Sequence, residues 1–162
     1  TPLAVFMTTL ALGSAFAVAA KSSGGGSGAA YGIRPVSCAA DGKITSAQRK
    51  EYRAAVRDTA GKVEAKYGIK GLQRFLDTVA EHESRWNPCV DGDKGGVSKG
   101  IYQMRANTVF STTYTKLRPY FTTMARDPVL STLLAIHCVY KAARSVKGRA
   151  PYWLAVRRWW KY

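Results

Sequence analysis

The sequence predicts a mostly α (α+β) domain with a small β or loop excursion, preceded by a hydrophobic N-terminal helix and a Gly/Ser linker. Three observations lead there. Apolar residues recur at steps of three and four in segments bounded by helix caps. A Gly/Asp-rich stretch interrupts those segments near the middle of the 162 residues. An uncharged run and a glycine-rich run open the chain.

Residues 1–20 carry no charge and are mostly Ala, Leu, Val, Phe and Thr, ending at Lys21. About 20 apolar residues are enough to span a bilayer as a helix. Small-x-small sites at Ala15-Phe16-Ala17 and Ala17-Val18-Ala19 also fit a signal peptide, but no basic residue precedes the run. The expectation is a retained helix, membrane-seeking or buried in an assembly. Residues 21–30, with Ser22-Ser23-Gly24-Gly25-Gly26-Ser27-Gly28, read as a flexible linker. A single domain then occupies residues 31–162.

Thr45 followed by Gln48 is a capping-box signature. Tyr52, Val56, Ala60, Val63 and Tyr67 form one apolar stripe behind it, which Gly68 ends. A second helix is expected from Gly71 to Ser84, with Leu72, Leu76 and Val79 on one face, broken by Asn87-Pro88. The stretch from Cys89 to Gly100 reads as a loop or small hairpin. Asp127-Pro128 places an N-cap before Pro at the first helical position. Val129, Leu133, Ile136, Tyr140 and Ala143 form the stripe of that helix, which Gly148 ends, and Pro151 opens a last amphipathic helix.

The net charge is +15, unevenly spread. Residues 1–94 hold thirteen Lys/Arg against nine acids, and residues 95–162 hold twelve against one, Asp127. Such a field implies an anionic partner: nucleic acid, a membrane surface or a cell-wall polymer. The three cysteines, Cys38, Cys89 and Cys138, match no zinc spacing, and His82 and His137 add no ligand motif. No metal or cofactor is expected. Three cysteines allow one disulfide and one free thiol. In an oxidising compartment Cys89 is expected to be bridged, to Cys38 or to Cys138.

One helical step beyond Leu72, Leu76 and Val79 lies Glu83. A carboxyl on the apolar face, at the partially negative C-terminus of a helix, is placed to hold a proton and give it to a leaving oxygen. His82-Glu83 begins like a zinc-protease helix, but that motif needs His three residues after the Glu, where Trp86 stands.

Glu83-Ser84-Arg85-Trp86-Asn87-Pro88 is followed by a Gly/Asp loop, then Gly100-Ile101-Tyr102-Gln103-Met104, with Thr108 beyond. This order resembles the catalytic core of the soluble-type lytic transglycosylases of the lysozyme-like superfamily. Their pattern is Glu-Ser, often Asn-Pro, then Gly-Leu-Met-Gln and a Thr. Gly-Ile-Tyr-Gln stands here for Gly-Leu-Met-Gln, and the resemblance covers roughly residues 45–162.

The resemblance implies a lysozyme-like domain with a glycan groove. Glu83 takes the catalytic acid/base position, Ser84 the neighbour that holds the sugar or the Glu, and Gln103 the residue lining the cleft. A late Ala-x-x-Tyr motif has its nearest counterpart at Ala155, with Trp159 in the Tyr place. Trp supplies no hydroxyl, so either Tyr162 serves or the contact is lost. Tyr102, Trp86 and Trp159 are the aromatic candidates for stacking on sugar faces; Trp153 reads as core.

The implied activity is cleavage of the β-1,4 bond between N-acetylmuramic acid and N-acetylglucosamine in peptidoglycan, leaving 1,6-anhydro ends. A hydrolase of the same bond would use water placed by a second carboxylate. Asp91 and Asp93 are the nearby candidates, and both read as turn formers. A basic module that binds nucleic acid or membrane, or a glycan binder without activity, accounts for the charge but leaves the two motifs, or Glu83, unexplained. The expected partner is therefore the peptidoglycan strand, with no specific nucleic acid. The expected setting is the cell envelope or periplasm, membrane-tethered or virion-associated, with residues 1–20 engaging a membrane or a larger virion or secretion assembly.

Overall fold

In the computed structural model the described residues are 36–110 and 115–145. Expectations for residues 1–20, the 21–30 linker, the end of the long helix at Gly148, and the segment from Pro151 with Trp153, Trp159 and Trp160 lie outside them.

Helix α1 (Ser46–Tyr67) starts where its cap predicts. The Thr45 hydroxyl accepts the Gln48 N–H at 3.1 Å, and the Gln48 side chain accepts the Thr45 N–H at 2.8 Å. It stops at Gly68, left-handed at φ 66°, a conformation glycine adopts at no steric cost. Tyr52, Val56, Ala60 and Val63 are buried and Tyr67 is half-buried, so the stripe faces the core.

Helix α2 (Leu72–Ser84) turns back against α1, burying Leu72, Leu76, Val79 and Ala80. Gln73 ties the pair: its amide donates to the Arg57 carbonyl at 2.7 Å, and its N–H goes to Glu64 at 2.8 Å.

The Gly/Asp stretch forms a hairpin of two short antiparallel strands, β1 (Asp91–Gly92) and β2 (Ser98–Lys99), pairing Asp91 with Lys99 and Gly92 with Ser98. Past it come a one-turn helix α3 (Ala106–Val109), a 3₁₀ segment (Thr115–Tyr120) and a short helix α4 (Phe121–Arg126). None of these three is legible as a period: each is six residues or fewer, and Pro119 sits inside the 3₁₀ turn.

Helix α5 (Pro128–Ser145) is capped by Asp127, whose Oδ1 accepts the N–H groups of Val129 and Leu130, both at 2.8 Å. Its burial departs from the expected stripe, of which the side chains of Tyr140 and Ala143 lie outside the described residues. Ile136 is buried, but Val129 and Leu133 are only half-buried, whereas Leu130, Leu134, Ala135, Cys138 and Val139 are enclosed. Ser131, Thr132 and His137 are buried with them. Both hydroxyls bond back to the Pro128 carbonyl, at 3.3 and 2.7 Å, so Ser131 and Thr132 enter the core with their hydroxyls satisfied. Helix α5 is thus a central helix, packed by α1, α3 and α4.

A disulfide joins Cys38 to Cys89, pinning the segment before α1 to the turn after α2. Cys138 is a buried free thiol. No helix among the described residues is long and apolar enough to cross a membrane.

Candidate functional site

Glu83 occupies the last turn of α2 and is half-buried. Ser84, next to it, is the joint between the two sequence motifs. Its hydroxyl donates to the Ile101 carbonyl at 2.8 Å and accepts the Asn87 N–H at 3.1 Å. Asn87 reaches on to the Gly42 carbonyl at 2.9 Å, and its side-chain oxygen accepts the Cys89 N–H at 2.9 Å. The Glu-Ser end of α2 and the Gly-Ile-Tyr-Gln turn, seventeen residues apart along the chain, are therefore in direct contact.

That second turn is tight for identifiable reasons. Gly100 has φ 74°, and a Cβ there would collide with the Ala125 carbonyl of α4. Gln103 is also left-handed, at φ 48°. Its amide donates to the carbonyls of Gly100 at 2.9 Å and Val90 at 3.0 Å, fastening the turn to the base of the hairpin. Gln103 lines a cavity of about 140 Å³ with Met104, Arg105, Thr108, Val109 and Cys138. Glu83 is not among the residues lining this cavity.

Two aromatic expectations are corrected. Tyr102 backs the same cavity but offers no exposed ring: it is fully buried, and its hydroxyl meets the Thr132 hydroxyl of α5 at 3.1 Å. Burial raises the pKa of that phenol and keeps it neutral. Trp86 is 7% exposed, with Nε1 donating to Asp77 at 2.9 Å and the Arg53 guanidinium 4.4 Å from its ring centroid. Both rings are anchored in the protein, which removes them as sugar platforms. Trp159 lies outside the described residues.

The hairpin carboxylates are held by cations. Asp91 pairs with Lys99 at 2.6 Å and Arg126 at 3.0 Å. Burial works against its ionisation, but the Lys99 and Arg126 hydrogen bonds outweigh it and hold the carboxyl below its ordinary range. Asp93, itself left-handed at φ 66°, accepts from the Ser98 hydroxyl and pairs with Arg105 at 2.8 Å; those two hydrogen bonds likewise lower its pKa. Asp93 stands in the turn, as expected, whereas Asp91 stands on strand β1; cations clamp both. Arg126 and Arg105 are partners of these carboxylates that sequence reading misses, because they lie 35 and 12 residues away.

Among the described residues no group of His, Cys, Asp and Glu is arranged to hold a metal. No protein-family model, curated protein or solved structure matches the chain.

Proposed function

We propose that the chain cleaves the β-1,4 bond between N-acetylmuramic acid and N-acetylglucosamine in peptidoglycan, within a lysozyme-like domain, with Glu83 as its single acid/base. The carrying observation is the 2.8 Å hydrogen bond from Ser84 to Ile101, which brings together two motifs whose order the resemblance requires. The hairpin adds support. Asp91 and Asp93 are engaged by Lys99, Arg126 and Arg105, a poor arrangement for a second carboxylate that must hold and activate water.

In this reading Glu83, protonated, donates its proton to the glycosidic oxygen as the bond to the anomeric carbon breaks. The resulting carboxylate takes the proton of the sugar's own 6-hydroxyl as that oxygen bonds to the anomeric carbon. The acid is regenerated and no water is consumed. A tethered nucleophile needs no second catalytic group to position it, and effective molarities for such closures reach about 10⁵ M or more.

The basic surface suits an anionic wall polymer. Residues 1–20 and the linker suit a membrane-tethered or virion-borne enzyme that opens the wall locally. Mass spectrometry of a digest of purified cell walls tests the reaction: 1,6-anhydromuramic ends, lighter than reducing ends by one water, are expected. Reducing ends that vanish on mutation of Asp91 or Asp93 would establish a hydrolase instead.

A further inference from the structure

A helix commonly stops on one left-handed residue, most often glycine. Helix α2 stops on two in succession, and neither is glycine: Arg85 at φ 53° and Trp86 at φ 57°. A side chain makes that conformation sterically unfavourable, so the surroundings must hold them there.

The backbone supplies part of the hold. The Arg85 N–H returns to the carbonyls of Ala80 and Glu81, and the Trp86 N–H returns to Ala80 at 3.1 Å. These bonds close a loop of chain around Glu83.

The side chains supply the rest through one carboxylate. Asp77, on α2 two turns earlier, accepts the Trp86 indole N–H at 2.9 Å. The same carboxylate accepts from Arg53 of α1 at 3.4 and 3.2 Å, and Arg57 approaches it at 3.9 Å. Arg53 in turn covers the Trp86 ring. Asp77 is thus a strut from the body of α2 to the turn beyond its end, and Glu83 lies on the span between. On the far side of Glu83, Ser84 is fixed to Ile101.

We propose that Asp77 is a positioning residue for Glu83. Through the Trp86 indole it sets the left-handed pair that ends α2, and with the Ser84–Ile101 bond it fixes the height and direction at which the Glu83 carboxyl meets its substrate. The proposal rests on the reading of Glu83 as the acid/base.

The test uses the full chain on purified peptidoglycan sacculi, with initial rates measured against sacculus concentration. Asp77→Ala removes the acceptor. Trp86→Phe keeps the ring under Arg53 and removes only the N–H. Asp77→Asn keeps an oxygen that accepts the indole N–H while discarding the ion pairs. Both Asp77→Ala and Trp86→Phe are expected to lower kcat roughly tenfold with KM within twofold, since displacement of a reacting group costs rate rather than affinity. Asp77→Asn is expected to recover kcat to within about threefold.

A purely structural role would lower the melting temperature and leave kcat per folded molecule unchanged. That result in Trp86→Phe overturns the proposal even where Asp77→Ala fails to fold. A change confined to KM, or an Asp77→Asn as slow as Asp77→Ala, also overturns it. If the unaltered chain leaves sacculi intact, the acid/base reading itself falls and takes this proposal with it. If the chain cleaves and Glu83→Gln does not, the Asp77 result stands on its own.

Discussion

Between Ser84 and Cys89 the chain is held mainly by neutral hydrogen bonds and a disulfide: Ser84 to Ile101, Asn87 to Gly42, Cys89 to Cys38. Between Asp91 and Arg105 it is held mainly by charge: Asp91 between Lys99 and Arg126, and Asp93 against Arg105. The two regions adjoin in sequence and touch through the Gly100–Gln103 turn, yet they answer to different conditions. Reduction attacks the first, acid and salt the second. In the proposed reading the proton-handling residue adjoins the first region, whose one charged tie is the Trp86 indole on Asp77 with its arginine partners, and the hairpin's charge state does not set its frame directly.

The largest expected effect is chemical. Glu83→Gln is nearly isosteric but cannot give or take a proton. Wall cleavage should fall by at least about 100-fold, as is usual for loss of a general acid/base. The melting temperature should stay within a few degrees, because the change leaves the Ser84 and Asn87 bonds in place. Turbidity loss of sacculi with a parallel thermal melt measures both. Residual activity within tenfold of the unaltered chain would move the chemistry elsewhere and leave the helix-end turn as mere scaffold.

Next in size is the disulfide. Cys38 and Cys89 enclose 51 residues of separation, and closing a loop of that length stabilises by about 4 kcal/mol in the chain-entropy picture. Replacing both cysteines by serine should lower the free energy of urea unfolding by an amount of that order, with Cys138 untouched as the buried thiol. A loss below about 1 kcal/mol would show that Asn87 and Ser84 hold the first region without the covalent bond.

How much of this was legible in the sequence divides along the same lines. Local signals carried through: the Thr45–Gln48 box, the Gly68 stop and the Asp127 cap all stand where their residues put them, because each cap is made within three or four residues. The glycines and aspartates of residues 89–100 indicate a loop or small hairpin, and the structure has the hairpin. The fates of Tyr102 and Trp86 were not. Tyr102 finds its hydroxyl partner thirty residues away on α5, and the Arg53 that covers Trp86 stands on another helix. An aromatic residue inside a motif looks the same from sequence whether it faces a groove or the core. The stripe through Val129, Leu133 and Ile136 misses the buried Leu130, Leu134, Cys138 and Val139, because Ser131, Thr132 and His137 count as polar in a periodicity, although both hydroxyls are satisfied within the helix itself.

A smaller effect probes the hairpin. Asp91→Asn removes both ion pairs of a partly exposed carboxylate and should cost about 1 kcal/mol at pH 7. The sign with pH follows from the direction of the shift. The folded pKa of Asp91 is lowered, so its contribution is present above the ordinary carboxylate value and is lost as pH falls through the folded one. Unfolding curves of the unaltered chain and the variant should therefore differ at neutral pH and converge in strong acid. A gap that persists in acid would mean that Asp91 acts through shape rather than charge.

The smallest effect has the opposite sign and sharpens the contrast. Asp127 follows Arg126 directly, but it is 1% exposed and has no cation beside it among the described residues. Burial raises its pKa, and the hydrogen bonds from Leu130 and Val129 offset this only in part. Oδ1 caps α5, and Oδ2 has no hydrogen-bond partner among the described residues. With a raised folded pKa, the stabilising balance is complete below the ordinary carboxylate value and is lost as pH rises through the folded one, which is the reverse of Asp91. The ionised form therefore encloses a charge that only the cap compensates. Asp127→Asn keeps an equally good N-cap oxygen and replaces that charge with a neutral amide, which is easier to bury. The melting temperature at pH 7 should hold or rise by at most about 3 °C, and the difference from the unaltered chain should shrink in acid. A clear drop at pH 7 would show that ionised Asp127 is itself stabilising, and that the charge-held region extends from the hairpin through Arg126 into the start of the central helix.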